Sequence, residues 1–210
     1  MTWACVGAVL VCCLLVTSTA SAEPDRGNPA TVSTKWYTGG VFWPRATNSF
    51  YCTTSAVNAH SSWPATIANA VDLYSNYANG GTQHPQWSAG CPHANHPIDV
   101  LNIPLGTLSS GGPCGNSDHT PATTGYLTHA YVRFNSQVAY DHPGIYYCHF
   151  YHTAIHEFGH SQGLPHSCNS AAIMYKYDNP VDYLTTDDKS AYQWLYNRPP
   201  FTGTPDAGCP

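Results

Sequence analysis

Eleven residues, His156-Glu157-Phe158-Gly159-His160-Ser161-Gln162-Gly163-Leu164-Pro165-His166, set three imidazoles and one carboxylate at spacings that suit a metal ion. On a helix, His156 and His160 stand four residues apart and project from one face, with Glu157 beside them. Gly163 is expected to end that helix, since a glycine there can take the left-handed conformation that turns the chain sharply, and Pro165 keeps helix from resuming, so His166 can swing back as a third ligand. Three protein ligands leave the fourth tetrahedral position of one zinc ion open, which marks a catalytic site rather than a closed structural one. Hydrolysis of a peptide bond needs an activated water, a Lewis acid for the carbonyl oxygen and a proton carrier for the leaving nitrogen. Zinc supplies the first two, and Glu157 the third, as general base and then general acid. Beyond residue 22 only Glu23 and Glu157 are glutamates, which weighs against an accidental glutamate inside the histidine frame. Coincidence in a chain with 12 histidines is the competing explanation; the added glycine and third histidine at fixed spacing argue against it.

The motif sits at the C-terminal end of a segment with helical character over residues 146–162. His149 and His152 precede it at helical spacing and lean toward the same face. Packing and hydrogen bonding explain them first, with a proton-relay role for His152 as the alternative. Upstream, Ile67, Ala70, Val71, Tyr74 and Tyr77 recur at helical intervals, which predicts a helix over 64–78 with Pro64 at its first position. Short aromatic or β-branched runs at 35–37, 41–43 and 50–53 suggest strands, as does 99–105. The alternation of Tyr126, Thr128, Ala130, Val132 and Phe134 predicts a half-exposed strand over 126–134. The Gly- and Ser-rich stretch 108–124 is expected to be a long loop. A last helix is predicted over 187–196, with Thr186 as its cap and Asp187 and Asp188 in the first turn, where the helix dipole favours negative charge.

Charged residues make up 9% of the 210, and the net charge of -5 with no Lys/Arg cluster gives no footprint for nucleic acid. Residues 3–16 form an apolar run that leads to Ala20-Ser21-Ala22, a small-residue cleavage signature, so 1–22 is expected to be a secretory signal peptide although no Lys or Arg precedes the run. The run falls short of the roughly 20 residues a spanning helix needs, and no later segment qualifies, so stable membrane insertion is not expected. Residues 23–210 then form a single domain, expected to be secreted and monomeric. Past the leader, Cys52, Cys91, Cys114, Cys148, Cys168 and Cys209 are an even set, which in an exported chain implies up to three disulfides. Spacing alone leaves their pairing open.

The eleven-residue signature followed by Met174 resembles the metzincin clan of zinc endopeptidases, and Ala172-Ile173-Met174-Tyr175, Leu184-Thr185-Thr186-Asp187-Asp188 and Gln193-Trp194-Leu195-Tyr196 are similar to matrixin sequences. The resemblance implies an α+β, metzincin-like fold: a twisted, mainly parallel sheet with one antiparallel edge strand, an active-site helix and a small C-terminal subdomain. Gly163 would divide an upper subdomain from a lower one, 164–210. The edge strand, best matched by 126–134, would bind an extended protein or peptide substrate by strand addition. Met174 would pack beneath the metal. His93, His96 and Asp99 are candidates for an additional structural metal. The arm 23–33 carries no cysteine, so latency by a zinc-capping cysteine is not expected. Cys209 is one possible partner for Cys168. Lys176 stands where matrixins commonly have proline, and Tyr177 is a weak candidate for stabilising an oxyanion. The expectation is a secreted zinc endopeptidase; the alternative is a catalytically silent secreted zinc module that binds protein or glycan.

Overall fold

The structure, a computed structural model, describes residues 43, 49–75, 85–88, 97–107, 112–121, 127–141, 148–167, 169–177, 179 and 181–197. The expected signal peptide, the arm, the strands at 35–37 and 41–42, His93, His96, Cys91, Cys168 and Cys209 lie outside them. Five strands form one sheet: β1 (Phe50–Thr53), β2 (Gln86–Trp87), β3 (Pro97–Ile103), β4 (Gly115–Pro121) and β5 (Leu127–Asn135), in the order β2-β1-β3-β5-β4. Every pairing is parallel except β4 with β5. The helices are α1 (Ser55–Asn58), α2 (Trp63–Ser75), α3 (Phe150–Ser161) and α4 (Thr186–Asn197). This is the α+β class expected, a mostly parallel sheet with one antiparallel edge.

Two expectations about that edge are corrected. Strand β5 is interior, hydrogen-bonded to β3 on one side and β4 on the other, so the edge strand beside the cleft is β4. The stretch read as a long loop therefore contains a strand. Its sequence, Gly-Asn-Ser-Asp-His-Thr-Pro, has little β propensity of its own, and the ladder to β5 overrides that. The alternation expected in β5 also breaks. Ala130, Val132 and Phe134 are fully buried, but Thr128 is exposed and Leu127 buried instead. A register shift explains this: Thr120 pairs with His129 and Pro121 with Leu127, so Thr128 is the extra residue that flips the phase.

Helix α2 forms where its periodicity predicts, one residue early at the N-terminus, with Trp63, Ile67, Ala70, Val71 and Tyr74 buried in the core. Strand β3 begins and ends two residues before the expected range. Helix α3 begins at Phe150, which leaves His149 at the cap in extended backbone rather than within the helix. One hydrophobic core joins these elements. Trp63 stacks on Phe150 at 4.2 Å, and Tyr51 meets Phe158 edge-on at 5.5 Å. The carbonyls at the end of α3, which lack intrahelical partners, accept buried donors instead: Trp43 Nε1–H to Ser161 at 2.8 Å and the Tyr196 hydroxyl to Gln162 at 2.5 Å.

Candidate metal centre

Helix α3 is buried along almost its whole length, so the polar groups it carries inward must be satisfied. Nδ1–H of His156 donates to the Ile173 carbonyl at 2.7 Å, and Nδ1–H of His160 to the Leu164 carbonyl at 2.7 Å. Carbonyl oxygens only accept, which fixes the proton on Nδ1 and leaves each Nε2 a bare acceptor. Those acceptors converge: Nε2 of His160 lies 3.0 Å from Nε2 of His156 and 3.2 Å from Nε2 of His166. Lone pairs aimed at one another in a buried site are what a shared cation satisfies, so the residues present fit a zinc ion. Burial lowers the pKa of His156 well below its usual value and that of His160 to about 4, with neighbouring histidines adding to both. Burial, then the Lys176 ammonium, also lowers His166. The imidazoles are thus neutral, the form that ligates metal.

The turn after α3 explains how His166 arrives. Gly163 adopts φ 92°, with its N–H bonded to the His160 carbonyl at 2.8 Å and the Leu164 N–H to the Gly159 carbonyl at 3.0 Å, a Schellman closure. The same turn carries the Leu164 carbonyl that holds His160. Beyond it, the Ser167 N–H donates to the Met174 carbonyl at 2.7 Å, which brings the segment around Met174 beneath the histidines. A Cβ on Gly159 would stand 2.4 Å from Met174 Sδ, so the glycine lets helix and methionine meet.

Helix α4 supports that segment. Thr185, one residue before the expected cap, donates N–H and hydroxyl to Asp188 Oδ2 at 2.8 and 2.6 Å, and Ile173 N–H reaches the same oxygen at 3.1 Å. Asp187 accepts the Ser167 hydroxyl at 2.8 Å. The acidic pair therefore serves the site as well as the helix dipole.

Glu157 faces a cleft of roughly 730 Å³ that it shares with the three histidines. Burial pushes its carboxyl up to about 8, and the charge of a bound dication would offset that. Across the cleft lies the start of β4. A Cβ on Gly115 would fall 2.8 Å from Glu157 Cγ, so strand and carboxylate are in direct contact. A disulfide between Cys114 and Cys148 ties this strand to the residues just before α3, with Cα atoms 5.5 Å apart. Cys52 is also disulfide-bonded.

His152 takes the role of a hydrogen-bonded wall residue, Nδ1–H to the Val181 carbonyl at 2.5 Å. Of the expected second-metal candidates only Asp99 is described, and it pairs with His129 Nε2 at 3.0 Å. Among the described residues, His156, His160 and His166 alone form a group that could hold a metal.

Residues 111–197 match the model of the matrixin family. A stretch of 57 residues is 47% identical to human matrix metalloproteinase-20, covering 25% of this chain and 12% of that protein's length. The chain is matrixin-like.

The matrixin-like span begins at residue 111, just ahead of β4 and well upstream of His156. Gly115, Ser117 and His119 were absent from the candidates read from sequence, since no motif marks them. The one available signal was the antiparallel edge strand that the resemblance implied, assigned one strand too late. Lys176 and Tyr177, by contrast, line the cleft as exposed residues, with the Lys176 ammonium 5.6 Å from the Tyr177 ring centroid.

Proposed function

We propose that this matrixin-like chain is a secreted zinc-dependent endopeptidase acting on extended protein or peptide substrates. The observation that carries the proposal is the convergence of the Nε2 atoms of His156, His160 and His166 beside the buried Glu157 carboxyl in one open cleft. His156, His160 and His166 would hold one ion. Bound zinc supplies Lewis acidity, polarising the scissile carbonyl and making a water acidic near neutral pH. Glu157 accepts a proton from the attacking water and delivers it to the leaving amine as the peptide bond breaks. Edge strand β4, paired with β5 alone among the described strands, would align the substrate by strand addition, with the Cys114–Cys148 disulfide and the Asn135 side chain fixing its start; Asn135 Nδ2 donates to the carbonyls of Gly106 and Pro113 at 2.6 and 2.8 Å. No helix among the described residues is long and apolar enough to cross a membrane. We place the division between upper and lower subdomains at Gly163, where the backbone reverses.

Cleavage of carboxymethylated casein by the wild type and by Glu157→Gln, with and without chelator, tests this. Cleavage lost on chelation, restored by zinc and absent in the variant is expected. Casein left intact by zinc-loaded wild type, or cut equally by the variant, would refute it.

A further inference from the structure

Strand β4 presents its side chains alternately to the two faces of the sheet, and the register shows which is which. Gly115, Ser117 and His119 pair with Phe134, Val132 and Ala130, whose side chains are fully buried on the helix side. Asn116 and Asp118 pair with Arg133 and Tyr131 on the other face, where Arg133 Nη1 donates to Asn116 at 2.9 Å and its Nη2 lies 3.6 Å from the Asp118 carboxylate. His119 therefore projects to the side of the sheet that carries α3. It lines the same cleft as Glu157 and His160, and lies close enough to His160 to help depress its pKa. It is nevertheless outside the group of converging ligand nitrogens. Only its backbone is engaged among the described residues, through N–H to the Asp118 carboxylate at 2.8 Å, and no hydrogen bond there holds the ring.

We propose that His119 is a substrate-contacting residue: its imidazole N–H, carried on the edge strand, donates a hydrogen bond to a carbonyl oxygen of a polypeptide lying in the cleft beside His160. A neutral imidazole always carries one N–H, so the contact needs no change of protonation. The strand supplies backbone pairing along the substrate, and His119 adds a side-chain contact that a glycine or serine at that position could not reach. This deepens the endopeptidase proposal and rests on it for the identity of the occupant.

The test measures binding apart from cleavage. Zinc-loaded Glu157→Gln is titrated against fluorescein-labelled carboxymethylated casein and compared with the double variants Glu157→Gln/His119→Ala and Glu157→Gln/His119→Gln. One hydrogen bond predicts about fivefold weaker binding for alanine, with glutamine, whose amide also donates, recovering part of it. Zinc content and melting temperature should match in all three. Equal affinities, a loss that glutamine does not recover, or no measurable casein binding by the parent would overturn the proposal. So would a changed visible spectrum of the cobalt-substituted His119→Ala protein, which would make His119 a ligand. A wild type that fails to cleave casein while these affinities differ as expected would remove the endopeptidase reading and leave the contact standing.

Discussion

The Asp188 carboxylate on α4 accepts the backbone N–H of Met174 at 3.2 Å, so the last helix holds the segment that lies under the histidines. Its other oxygen accepts Ile173 N–H, and the Ile173 carbonyl in turn orients His156. Asp188 is fully buried, so truncation strands these donors out of reach of water. Asp188→Ala is expected to cost roughly 2–4 kcal/mol in urea unfolding. Loosened support for a ligand also predicts zinc affinity lower by about 10–100-fold, read by competition with a chromogenic chelator. Unchanged zinc affinity in the folded variant would show that Ile173 keeps its place without Asp188.

The grouping of the three candidate ligands was legible in sequence because metal chemistry demands residue type and spacing together, and a helix converts spacing into direction. Helix α2 was legible for the same reason. Strand β4 was not, since what makes Gly115 to His119 a strand is pairing with β5, a contact distant in sequence. The bulge at Thr128 likewise depends on where Pro121 falls opposite Leu127, which no local pattern records. Asp188 was seen as a helix-dipole residue because that role is local; its grip on Met174 is tertiary.

Gly115 is expected to be intolerant of a side chain in activity more than in stability. A Cβ there meets Thr153 Cγ2 at 2.7 Å and Glu157 Oε1 at 3.1 Å, and the neighbouring Cys114–Cys148 bridge keeps the strand from retreating. The flexible Glu157 side chain must then move, which misplaces the proposed proton carrier. A displacement of about 1 Å predicts a 10–100-fold loss of kcat/KM for Gly115→Ala. Casein cleavage at wild-type rate, with the variant as stable as the parent, would contradict this.

At Gly159 two effects compete. Alanine in mid-helix is favoured over glycine by about 1 kcal/mol. The added methyl would lie 2.4 Å from Met174 Sδ and 2.6 Å from the Tyr74 hydroxyl, both fully buried, and overpacking of this kind costs about 1–3 kcal/mol. Overpacking should win, giving a lower melting temperature for Gly159→Ala. Tyr74→Phe in the same chain removes one of the two clashes and should recover part of the loss, whereas a more stable single variant would mean that Met174 repacks freely.

Three buried tyrosines and the partly buried Tyr140, among the described residues, set an alkaline limit on the fold. Burial raises the pKa of Tyr74, Tyr140, Tyr192 and Tyr196 above the usual 10, most of all by excluding water from the phenolate. A raised folded-state pKa means that the unfolded chain releases its protons first, so this stability is complete below pH 10 and is lost as pH rises past it. Two of these hydroxyls also donate to α3 or its end, Tyr74 to the Ile155 carbonyl at 2.6 Å and Tyr196 to the Gln162 carbonyl, and a phenolate cannot donate. Absorbance at 295 nm and helical circular dichroism, followed together from pH 8 to 12, should show an exposed set of tyrosines titrating near 10. The buried set should ionise only as the helical signal collapses. If all 15 tyrosines titrated near 10 with the helices intact, the buried hydroxyls would not be supporting α3.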